Sequence, residues 1–219
     1  PMAASRFLPS FWQRHVVFVP ICSSSLSEGM TSDLALRALV YRYWSELYEA
    51  DSLDRGQKAE KAIDLLSEFA LGAPFLPQQR AYSALADCFA VIGEYEDAAD
   101  YYMYVTEQVT DLIDQEGNNL GLSYIAQLQD ASQESMLGMA KMYQRSNDIV
   151  SFWNTYNNFE SWVASNEVTV SRMGSTLRLS AAKQMVAEGR SAEAINLASA
   201  VATANERNVL RLQANSVMG

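Results

Sequence analysis

The sequence predicts an all-α fold, and three observations predict it. From Gln78 to the end of the 219-residue chain there is no proline, so nothing in that stretch removes a backbone donor or forces a helix to stop. Alanine, leucine, glutamine and glutamate, which lose little side-chain freedom in a helix, are abundant. Apolar residues recur every three or four positions in long blocks, the spacing of a helix with one buried face. A 49% hydrophobic content lets a chain of this length bury a core as one or two domains.

Residues 1–30 stand apart as an extended arm ahead of a helical domain at 31–219. The arm carries Phe7, Phe11, Trp12 and Phe18, three prolines (Pro1, Pro9, Pro20), Arg6, Arg14 and His15, and no acid before Glu28. Fixing an irregular segment costs about 1–2 kcal/mol of backbone entropy per residue, so such an apolar arm orders only where something covers it. Another subunit is the expected cover, with its own helical body as the alternative, and Phe7, Phe11, Trp12 and Phe18 are its expected anchors. Arginine and serine without acids is also the composition of an organellar targeting region, with a plastid expected ahead of a mitochondrion. The apolar run at 16–22 is far short of the roughly 20 residues a spanning helix needs and contains Pro20, so no transmembrane span is expected.

The body reads as successive helices. Residues 32–50 bring Leu36, Leu39, Val40, Tyr43, Trp44 and Leu47 to one face, and a mate at about 57–71 does so with Ile63, Leu66 and Phe69. The Gly-Ala-Pro-Phe-Leu-Pro stretch at 72–77 breaks the chain. A helix through Tyr82, Leu85, Ala86 and Phe89 ends at Gly93. The next starts at an acid-rich turn and runs through Val109 and Leu112 towards Asp114. Glycines and asparagines at 116–121 turn the chain into a long helix over 122–145, where Met136, Met139 and Met142 are expected to pack inward. Phe152, Tyr156 and Phe159 form the inner stripe of the following helix. Around residues 181–201 another pair is spaced by Ala181, Ala182, Met185, Gly189, Ala194, Ala198 and Val201, and residues 206–218 close the domain as a capping helix.

Within residues 82–105 the order Tyr82, Leu85, Ala86, Phe89, Gly93, Tyr95, Ala98, Tyr102, Val105 resembles the signature of the tetratricopeptide repeat family, a small residue at each close approach and aromatics between. The resemblance implies a right-handed solenoid of antiparallel helix hairpins. It is an irregular one here, because the equivalent slots Ala62, Ala98, Phe152 and Ala194 lie 36, 54 and 42 residues apart. Phe152 fills a slot that the family gives to alanine. Family members often hold partner peptides in a groove lined by first helices. The matching positions are Arg80, Ser83, Asp87 and Ala90, then Glu134, Leu137, Lys141 and Gln144, and they lack the lysines and asparagines with which one subgroup clamps a terminal carboxylate.

Catalytic chemistry finds little purchase. His15 is the lone histidine, so a serine or cysteine nucleophile has no second base to draw on, and one histidine with Cys22 and Cys88 falls short of a zinc set. No glycine-rich phosphate cradle is present, and no cofactor is expected. A net charge of −10 disfavours nucleic acid, whose binding depends on lysine and arginine displacing counterions. The acids Glu94, Glu96, Asp97 and Asp100 sit where a helix start favours negative charge. Tyr101 and Trp153 are expected to point off their helices' buried stripes and are candidate exposed anchors, with a core role the alternative for Trp153, as aromatics are enriched at interface hot spots. These readings converge on a non-catalytic scaffold, a linker or accessory subunit docked among other protein subunits of a larger assembly. Docking at the periphery of an organellar membrane complex, a photosynthetic one for example, fits the arm. The alternative is an adaptor that binds a client peptide transiently in its groove.

Overall fold

The computed structural model describes residues 52–166, 168–204 and 209–218. The arm at 1–30, its anchors Phe7, Phe11, Trp12 and Phe18, and the helix expected at 32–50 lie outside the described residues. The chain divides into two compact units, one ending at Val105 and the other beginning at Thr106. Every regular element among the described residues is helical, and the all-α expectation stands.

In the first unit, α1 (Ser52–Gly72) buries Ala59, Ala62, Ile63, Leu66 and Ala70, which recur every three or four residues along one stripe. It starts before the expected position and runs to the predicted break. Gln78 donates its side-chain amide to the carbonyl of Ala70 at 2.8 Å, satisfying an acceptor that the end of α1 leaves open. The next helix, α2 (Phe75–Ile92), carries Pro77 in its first turn, where a missing N–H costs nothing. Alanines at 81, 84, 86 and 90 line its buried surface, so α1 and α2 meet through small residues on both sides. Gly93 ends α2 at φ 91°, a left-handed conformation that glycine adopts without strain.

Helix α3 (Tyr95–Glu116) returns antiparallel to α2. Tyr82 lies edge-on to Tyr104 with ring centroids 5.2 Å apart, and Phe89 stacks on Tyr101 at 5.3 Å, so positions rising along one helix meet positions falling along the other. The glycine and asparagines at its end form a short 3₁₀ turn, Gly117–Asn119.

The second unit continues with α4 (Leu122–Arg145), α5 (Ile149–Ser165), α6 (Arg172–Ala187), α7 (Ser191–Ala204) and α8 (Val209–Met218). One cluster joins α4, α5 and α6 through Met136, Leu137, Ala140, Phe152, Tyr156, Phe159, Leu177 and Ala181. A second joins α6, α7 and α8 through Leu179, Ala182, Met185, Ala194, Ala198, Val201 and Ala214. Met136, Met139 and Met142 are buried, as their spacing predicts.

One turn recurs. Gly93, Asn147 and Gly189 each take positive φ, and each following residue donates its N–H to the carbonyl five positions back: Glu94 to Phe89, Asp148 to Tyr143, Arg190 to Met185, at 2.8–3.0 Å. Four residues further on, the amides of Ala98, Phe152 and Ala194 donate to the carbonyls of Glu94, Asp148 and Arg190. The three slots aligned from sequence therefore occupy the same place in three copies of one turn, and all three side chains are fully buried.

Residues 168–171, ahead of α6, are not helical, and a buried side chain of α4 helps to hold them. Gln133 of α4, 0% exposed, donates from Nε2 to the Thr169 carbonyl at 3.1 Å and accepts from the Ser171 N–H on Oε1 at 2.8 Å. Ser171 then caps α6, its hydroxyl accepting from the amides of Met173 and Gly174. Gly174 is glycine for lack of room. A Cβ there would lie 2.3 Å from Gln133 Oε1 and 2.8 Å from the Phe159 ring.

Candidate interaction surface

Of the candidate residues that the structure describes, Asp87, Tyr101 and Trp153 are engaged within the chain. Tyr101 corrects the expectation of an exposed aromatic: it is 1% exposed and stacks on both Phe89 and Tyr82. The physical reason is the width of the buried stripe on α3. Ala98, Tyr101, Tyr102 and Val105 are all buried, so the stripe takes in the residue beside Tyr102 as well. Asp87, expected in a groove, is half-buried and accepts the Tyr102 hydroxyl hydrogen at 2.6 Å, which ties α2 to α3. Arg80 is half-buried on α2. Ala90 and Leu137, two further groove positions, are buried, and Gln144 accepts a hydrogen bond from Ser180 of α6 at 3.1 Å.

Trp153 has partners within the chain. It is half-buried, packs against both clusters of the second unit, and meets Phe152 and Tyr156 edge-on. Its indole N–H donates to Glu188 at 2.8 Å, and the Arg190 guanidinium sits 5.0 Å above its ring. Arg190 in turn grips Glu193 with two hydrogen bonds, at 3.0 and 2.7 Å. The indole hydrogen bond and that from Gln184 hold the Glu188 carboxyl below its ordinary range. The bidentate Arg190 contact does the same for Glu193 and raises the guanidinium in return. Trp153 thus fastens α5 to the turn between α6 and α7.

Charge is unevenly distributed along the chain. From residue 81 to residue 140 there is no lysine, arginine or histidine, while Asp87, Glu94, Glu96, Asp97, Asp100, Glu107, Asp111, Asp114, Glu116, Asp130 and Glu134 all fall there. The remainder of the chain is close to neutral, so this stretch carries the net charge. In the first unit Glu94 and Glu96 are exposed, Met103 is 40% exposed on the same stripe as Glu96 and Asp100, and burial beside Asp97 and Glu96 pushes the Asp100 carboxyl up. In the second unit Leu122 and Val150, at the starts of α4 and α5, are 86% and 72% exposed. Aromatic spacing does not mark this stretch as acidic. A running count of cations alone would have found it.

Chemical groups elsewhere are quiet. Burial, with Asp87 beside it, pushes the Cys88 thiol up to about 12, far from a reactive thiolate. Among the described residues no group of three or more His, Cys, Asp or Glu side chains is placed to hold a metal ion, and no helix is long and apolar enough to cross a membrane. Searches of family models, curated proteins and solved structures find no match to this chain.

Proposed function

We propose that this chain is a non-catalytic protein–protein interaction scaffold, a linker subunit held in a larger assembly. The observation that carries the reading is the turn repeated at residues 93–98, 147–152 and 189–194, each copy seating a fully buried side chain at the same place. Repeated helix pairs of this kind serve to extend a surface, each unit burying its apolar face on its neighbour and leaving the other face to a partner. The tetratricopeptide-like pattern at residues 82–105 and the right-handed solenoid it implies belong to the same proposal. The side chains that could carry chemistry support it, because Tyr101, Asp87, Cys88 and Trp153 are committed to packing.

The partner we infer is basic. Residues 81–140 are rich in carboxylates and contain no lysine, arginine or histidine, and complementary charge speeds encounter and selects register. Carbodiimide crosslinking of the protein in its native extract, read by mass spectrometry, tests this. Glu94, Glu96 or Asp100 are expected to join lysines of another chain, and the product should migrate above the monomer. A monomer whose carboxylates join only its own lysines, such as Lys58 and Lys61, overturns the linker reading and leaves the transient adaptor.

A further inference from the structure

We draw no further inference here: the strongest candidate, the acidic surface patch of Glu96 and Asp100 around Met103 on α3, rests on clustered carboxylates that belong to the surface already described, and nothing in the structure shows what covers it.

Discussion

Replacing Gln133 with leucine should loosen the crossing between α5 and α6 out of proportion to the change in volume. The substitution keeps the bulk of the side chain but removes the donor to Thr169 and the acceptor for Ser171. Leaving one backbone group unpaired costs about 1–3 kcal/mol where water cannot reach it. Thr169 is exposed, so its carbonyl recovers much of its loss by hydration, whereas the Ser171 amide faces a fully buried side chain. The net expectation is about 2–3 kcal/mol of destabilisation, nearer one full penalty than two. Gly174→Ala should reach the same hydrogen bonds from the other side, since its new Cβ would overlap Oε1 of Gln133 and drive the amide away. The two changes should therefore be sub-additive by about 1 kcal/mol or more in a double-mutant cycle. Urea unfolding followed by circular dichroism measures the free energies, and hydrogen exchange at the Ser171 amide reports the bond itself. A Gln133→Leu protein within about 0.5 kcal/mol of the parent, with Ser171 still protected, would show that the crossing is held by something else.

The recurring turn makes a second prediction. Gly93→Ala and Gly189→Ala should each cost about 1–2 kcal/mol, because a Cβ is strained at these φ values, while Asn147→Gly should be neutral or slightly stabilising under the same urea assay. Trp153→Phe should keep most of the ring packing but release Glu188, detected as an upward move of the Glu188 carboxyl titration by NMR; an unmoved titration would mean that the indole bond does not hold it. Asp100 supplies a pH test. Its carboxyl is raised in the folded chain, so the folded state binds the proton more tightly than the unfolded one, and stability from this group falls as pH rises through the folded value. Asp100→Asn should accordingly raise the melting temperature at about pH 7, with the gain fading towards the unfolded aspartate value of about 3.9. A gain that persists at low pH would point to packing instead of charge.

Helix positions were legible because they are local properties. Helix α4 spans Leu122–Arg145 as its periodicity and its flanking turn residues predict, and α3 runs past the end usual for a repeat because Val109 keeps the buried stripe going. The slots Ala98, Phe152 and Ala194 align in sequence through their resemblance to the repeat signature, and each lies five residues after a positive-φ residue. The surroundings of Tyr101 and Trp153 were less legible, for different reasons. Tyr101 sits beside Tyr102 on a helix whose buried arc spans both, and a one-dimensional pattern suggests a narrower arc. Trp153 finds its hydrogen-bond acceptor 35 residues away, on Glu188, and no spacing rule links the two.

By itself the sequence determined the all-helical class, the main breaks between helices and the segregation of charge, because propensity, turn chemistry and ionisation are properties of residues and their near neighbours. Tertiary structure decided which polar side chains are spent inside. Gln133 and Gly174 lie in unremarkable sequence, yet they meet at one point where the crossing into α6 must find partners for its backbone. Asp87, Tyr101 and Trp153 have the chemistry of a binding surface and serve as ties between helices. Burial turns the same hydroxyl, indole or carboxylate from a group offered to a partner into one that must be satisfied within the chain, and burial is set by contacts between residues far apart in sequence.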